Sequence, residues 1–268
     1  MPNPRYSQLH RRLLFHWTGP GETPVVKTRA DRLGYLDLLE SILSKGLRFS
    51  TPSIENTEWI EMDDIRATHP MICFSEWGMA ESGAHSGRYG FMGLGFTRKF
   101  VMRAGGRPVV YLPNTRSDPF RKAMIQVIRA AREGRSPDSK LHRHADLLAS
   151  YLKAYHFRRL PANRPAAAPL PKNRKPPESA APPDDHHLRI DFGGIFANLE
   201  DREWRAVATS EAMQARGLSF SPGELAMIVF PDHQTLSLAM GHNGIMDWIK
   251  RPDMPSVCLL SREMIMSM

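Results

Sequence analysis

A histidine, a tyrosine and a glutamate stand on three separate strand-like runs of this chain, and they are residue types that hold NAD and steady a positively charged ribosyl centre. His16 belongs to His16-Trp17-Thr18, which ends an apolar run and precedes Gly19-Pro20-Gly21. Tyr89 belongs to Tyr89-Gly90, at the head of a glycine-rich strand pattern, and Glu203 opens Glu203-Trp204-Arg205. An imidazole at a strand end can hydrogen-bond a ribose hydroxyl, while Thr18, Gly19 and Gly21 leave room for phosphate. Tyr89 offers a flat face to a planar ring such as nicotinamide. A carboxylate stabilises the charge that develops on ribose as its glycosidic bond loosens. Glu203 is suited to that role, with Glu200 in the same acidic stretch as the alternative. The plainer roles are a satisfied structural histidine and a core aromatic.

These residues depend on elements that the spacing also predicts. Arg12 to Thr18 reads as a first strand. Leu33, Leu36, Leu39, Ile42 and Leu43 have helical spacing, and Gly46 suits the position that ends the helix. Leu47-Arg48-Phe49 starts an extended piece, and residues 50–70 read as a loop with a short helix around 59–67, a candidate substrate loop. Met71 to Ser75 and Tyr89 to Thr97 read as strands. In the second, Gly90, Gly93 and Gly95 leave one face bare, open to a flat ligand or another backbone, or else to a bulge or tight strand packing. A short helix at Arg98 to Arg103 and a strand at Pro108 to Leu112 follow. Helices are predicted over Asp118 to Glu133 and Ser139 to Phe157, the latter with Leu147, Leu148, Tyr151, Leu152 and Tyr155 on one face, and both are expected to cover the sheet. Residues 160–184 are rich in proline and alanine, a composition that buries too little apolar area to offset its ordering entropy. Strands at 203–208 and 225–230, a helix from His233 to Ile249 and a strand from Ser256 to Leu260 complete an α+β pattern.

The chain is 41% hydrophobic and 24% charged, within the globular range. Lys and Arg outnumber Asp and Glu by 36 to 28, so the surface field attracts anions. That agrees with a nucleotide or nucleic-acid partner and equally with an ordinary basic surface. Cys73 and Cys258 lie in apolar runs without metal-ligand spacing, as expected of reduced thiols in a cytoplasmic protein. No window has the apolar length of a membrane span. His142 with His144, and Asp184-Asp185-His186-His187, contain metal-ligand types, but the first pair faces two sides of a helix and the second borders the proline-rich stretch. No metal is expected.

The ordered set of His-x-Thr, Ser41-Ile42-Leu43-x-x-Gly46-Leu47, Ile72-Cys73-Phe74-Ser75, Tyr89-Gly90-Phe91-x-Gly93-Leu94-Gly95-Phe96, Pro108-Val109-Val110-Tyr111-Leu112 and Arg202-Glu203-Trp204-Arg205 resembles the AbiGi-type abortive phage resistance proteins. Through its first two pieces it also resembles the wider ADP-ribosyltransferase fold, including DNA-modifying toxins of the DarT kind and the RNA 2'-phosphotransferases. The resemblance covers residues 11–112 and 195–260. It implies an α+β fold with a split, mixed or antiparallel sheet, flanking helices and a proline-rich insertion. On that reading residues 1–159 and 187–268 are two parts of one domain, separated by 160–186. It further implies NAD as substrate, with Glu203 and Tyr89 catalytic and His16, Trp17, Thr18, Tyr89 and Gly90 holding the cofactor. The acceptor would be a nucleic acid or protein, in antiphage defence or beside a cognate toxin or antitoxin. The alternatives are a non-catalytic, antitoxin-like binding module and a nucleic-acid-binding protein without chemistry. One departure from the short forms of the fold is the stretch Gly19 to Ala30, whose Lys27 and Arg29 reach for phosphates or merely lengthen a loop.

Overall fold

The computed structural model describes residues 13–19, 26–50, 69–76, 90–113, 117–155, 202–250 and 257–262. The short helix expected near 59–67, the proline-rich stretch, Tyr89 and Glu200 lie outside them. Strand β1 (Leu13–Thr18) forms the middle of a seven-stranded sheet. On one side it pairs antiparallel with β2 (Met71–Ser75), then β7 (Glu203–Val207) and the two-residue edge strand β4 (Arg107–Pro108). On the other it pairs antiparallel with β3 (Met92–Thr97), then β8 (Leu225–Phe230), and β8 runs parallel to β9 (Cys258–Ser261). The fold is a mixed α/β one built on a mixed sheet.

Helix α1 (Arg29–Lys45) starts with a capping box: the Thr28 hydroxyl accepts from the Asp31 N–H at 3.1 Å, and the Asp31 carboxylate accepts from the Thr28 N–H at 2.7 Å. It ends at Gly46, whose φ of 82° suits glycine and whose N–H donates to the Ile42 carbonyl. Tyr35, Leu36, Leu39, Ile42 and Leu43 form its buried face. Leu33, expected on that face, is exposed instead. The buried face packs on Leu14, Ile72, Phe74, Leu94, Phe96 and Ile228 of the sheet, together with α2 (Arg98–Arg103), α6 (His233–Met240) and α7 (Asn243–Ile249). One continuous helix is expected from His233 to Ile249, but the chain breaks at Gly241 and restarts with the His242 side chain as its cap. The six-residue helix α5 (Glu211–Arg216), capped by Ser210, was not foreseen.

A second, smaller core lies beside this one. Strand β5 (Val110–Pro113) pairs parallel with β6 (Leu152–Tyr155), and helices α3 (Pro119–Arg132) and α4 (Lys140–Ser150) connect them. Leu112, Ile125, Ile128, Ala131, Ala145, Ala149 and Leu152 pack together there. The helices therefore close a lobe of their own rather than covering the large sheet. The helix expected to run to Phe157 stops at Ser150, and Tyr151 turns the chain into β6. The expected strand at 108–112 is likewise divided: Pro108 belongs to the large sheet and Val110 starts the small one. Among the described residues no helix is long and apolar enough to cross a membrane.

Candidate functional site

Directly paired residues of an antiparallel sheet project to the same side, and successive residues of a strand to opposite sides. Phe15 pairs with Ser75, and Ser75 with Glu203. Leu13, Phe15, Trp17, Cys73, Ser75, Glu203 and Arg205 therefore share one face. Leu14, His16, Phe74 and Trp204 share the other, which carries α1. His16 and Glu203, expected around a single nucleotide, project from opposite faces of the sheet.

Glu203 is 6% exposed and fully engaged. Lys153 Nζ donates to one carboxylate oxygen at 2.6 Å and Arg205 Nε to the other at 2.7 Å. Arg205, two residues along and so on the same face, also donates through Nη1 to the Ser150 and Leu152 carbonyls at 2.7 and 3.2 Å. A cation at the carbonyl end of α4 is favourable on electrostatic grounds as well. The Tyr111 hydroxyl accepts from the Glu203 N–H at 3.2 Å, and the Glu203 carbonyl accepts from the Val109 N–H at 2.8 Å. Lys153, Tyr111 and the Ser150 and Leu152 carbonyls belong to the small lobe, whereas Glu203 and Arg205 belong to the large sheet. The cluster fastens one to the other.

Its electrostatics agree with that role. Burial alone would raise the Glu203 pKa, but the charges of Arg205 and Lys153 outweigh it and hold the carboxyl at about 2. Cys73 lies on the same face, opposite Arg205 in register. Burial, then the neighbouring Glu203 charge, pushes its thiol up to about 12. Neither group is poised for proton transfer near neutrality.

His16 Nδ1 lies 2.9 Å from the Cys73 carbonyl oxygen. A carbonyl only accepts, so Nδ1 carries the proton and Nε2 is left as an acceptor. Burial lowers the His16 pKa, which keeps the ring neutral at neutral pH. The ring meets Phe74 edge-on, with centroids 6.0 Å apart. Trp17 points to the opposite side, stacked on Phe15 at 5.8 Å. These two rings occupy the space over the glycines of β3: a Cβ on Gly93 would lie 2.8 Å from the Trp17 ring and one on Gly95 2.9 Å from Phe15. The bare strand face is filled by the protein's own aromatics. Among the described residues, the buried Trp17 indole N–H has no hydrogen-bond partner.

The first and second motifs do come together. Gly90 has a φ of 123°, and a Cβ there would lie 2.1 Å from the Thr18 carbonyl carbon. This contact brings Gly90 to the end of His16-Trp17-Thr18, while Tyr89 lies outside the described residues. Beside it, the fully buried Tyr35 hydroxyl accepts from the Phe91 N–H at 3.3 Å, and the Arg262 guanidinium lies 4.5 Å from the centre of the Phe91 ring. At the end where β1 begins, Glu76 receives the Trp204 indole N–H at 3.2 Å and pairs with Arg98, whose guanidinium lies over the Trp204 ring.

Lys153, Tyr35 and Arg262 were not singled out in the sequence, and Tyr111, Arg205 and Phe91 stood in the quoted motifs without a role of their own. The signal for the Glu203 cluster was present: Glu203 and Arg205 occupy alternate positions of a strand that continues Ala206-Val207, and two charges on a buried face require partners.

Helices on one face of a mixed sheet, with a small lobe beside it, define the class of protein only broadly. Residues 54–161 match the model of a family described as "Putative abortive phage resistance protein AbiGi, antitoxin". The match spans β2, β3 and the whole small lobe; it excludes β1 with His16 and β7 with Glu203. No curated protein and no solved structure matches the chain.

Proposed function

We propose that this protein is the binding component of an abortive phage resistance system, an antitoxin-type module that engages a cognate toxin rather than a catalyst. The family similarity supports the system, and the buried Glu203–Lys153–Arg205 cluster carries the choice of role. A carboxylate held by two cations and closed from solvent is not available to a ribosyl cation. Its neighbours use it to join two lobes. Co-expression with the cognate toxin tests the reading. The expected result is restored growth and a stoichiometric complex that survives gel filtration. A toxin unaffected by the protein, with no complex formed, refutes it.

A second reading is NAD-dependent transfer of ADP-ribose to a nucleic acid or protein. It is favoured by the closure of Gly90 on Thr18, which unites two of the three motifs of the NAD reading. It requires Glu203 to leave Lys153 and Arg205 and to act with groups on the far side of the sheet. Nicotinamide release by the purified protein separates the two readings.

A further inference from the structure

Arg262 follows directly on β9, at the end of the sheet where β1 finishes. Its guanidinium is half-buried and lies 4.5 Å from the Phe91 ring centre. A guanidinium held over an aromatic ring keeps its N–H donors for other acceptors. Phe91 is itself fixed, because its N–H donates to the buried Tyr35 hydroxyl. The hydroxyl also lies against Gly19, where a Cβ would come within 2.9 Å of it.

Among the described residues, no carboxylate faces this cation. Other arginines behave differently: Arg32 pairs with Asp232 at 2.7 Å, Arg132 with Asp146 at 2.6 Å and Arg205 with Glu203 at 2.7 Å. Two described acids are already committed elsewhere. Asp232 holds Arg32 and also caps α6 through the Thr235 N–H and hydroxyl at 2.7 and 2.6 Å. Asp31 closes the capping box of α1. Burial lowers the Arg262 pKa, with the Tyr35 hydroxyl as the partial offset. A part-desolvated cation with no counter-ion among the described residues is open to an anion, which recovers part of its desolvation cost.

We propose that Arg262, stacked on Phe91 beside the Thr18-Gly19 and Gly90 backbone, binds a phosphate group of a small phosphate-bearing ligand. A phosphate accepts both N–H groups of the fork and brings up to two negative charges. The glycines let two backbone segments approach here without side chains between them. The site does not depend on NAD cleavage, so it stands or falls apart from either functional reading.

The test is calorimetric titration of the full chain at low salt with pyrophosphate, ADP and succinate, repeated with Arg262→Gln. The expected result is binding of pyrophosphate and ADP, weakened at least tenfold in the variant and with rising salt, and no binding of succinate. Tighter binding of ADP than pyrophosphate would identify a nucleotide as the source, and equal binding the phosphate alone. Failure of both phosphates to bind, binding of succinate alone, or equal binding by Arg262→Gln overturns the proposal. If the variant does not fold, the wild-type protein is treated with an arginine-selective dicarbonyl and mapped by mass spectrometry. Pyrophosphate should slow modification of Arg262 several-fold, and an unchanged rate overturns the proposal equally.

Discussion

Two regions of the large sheet, the seam with the small lobe and the patch around Arg262, handle charge differently. Where β1 begins, charges are matched and enclosed: Glu203 with Lys153 and Arg205, and Glu76 with Arg98. Where β1 finishes, Arg32 is matched by Asp232, but Gly90 closes on Thr18 and Arg262 lies over the Phe91 ring with no carboxylate partner among the described residues. Enclosed, satisfied charge gives rigidity and specificity of assembly, whereas an unmatched cation gives affinity for something else. The end with the attractive catalytic candidate is thus the fastening, and the end with the bland glycines and an unremarked arginine is the one suited to a ligand.

The largest effects should come from breaking the fastening. Arg205→Met or Lys153→Met leaves Glu203 short of one cation, and breaking a buried pair in this way costs about 3–5 kcal/mol. Urea unfolding should show that loss, with the Arg205 variant the worse because two carbonyls also lose their donor. A loss below about 1 kcal/mol would mean that the two lobes are not held by this cluster. At the other end Gly90→Ala places a side chain at positive φ and against the Thr18 backbone. The strain alone is worth about 1–3 kcal/mol, and the clash adds to it. A lowered melting temperature checks this, and an unchanged one breaks the picture of two motifs in contact.

The comparison is sharpened by pH. The Glu203 carboxyl, with an ordinary value of 4.5, is held at about 2 in the folded protein, so the unfolded chain binds its proton more readily. Its contribution to stability is complete above about pH 4.5 and is lost as the pH falls toward 2. Glu203→Gln should therefore be less stable than the wild type at neutral pH, with the difference shrinking as the pH falls through that window. A difference independent of pH would contradict the assignment. The smallest effect is chemical: with its thiol pushed up to about 12, Cys73 should resist alkylation at pH 8 in the native protein and react only as the chain unfolds. Fast labelling of the native thiol would show that the cluster is open.

Much of the fold was legible because local patterns agreed with tertiary need. The α1 face from Leu36 to Leu43, the Gly46 stop and the apolar runs of β2 and β8 are local statements, and each pairs with a partner of the same kind. The error at Tyr151 to Tyr155 has a physical source: Leu148, Tyr151, Leu152 and Tyr155 have helical spacing, yet Leu152 is claimed by pairing with Val110, more than a turn's reach away in sequence. The site was less legible. Glu203 was visible as a carboxylate on a strand, but its neutralisation by Lys153 is a contact across fifty residues that no local pattern announces. Trp17 and the glycines of β3 were each seen, and only the register between β1 and β3 reveals that the ring fills the space the glycines leave.

Whether Glu203 serves assembly or chemistry is tested most directly by incubating the purified protein and its Glu203→Gln variant with NAD, with and without nucleic acid or cell extract, and measuring nicotinamide. An enclosed Glu203 that serves assembly predicts no release by either protein, and only a loss of stability in the variant. Release by the wild type that disappears in a folded Glu203→Gln variant would contradict it and make Glu203 the catalytic carboxylate.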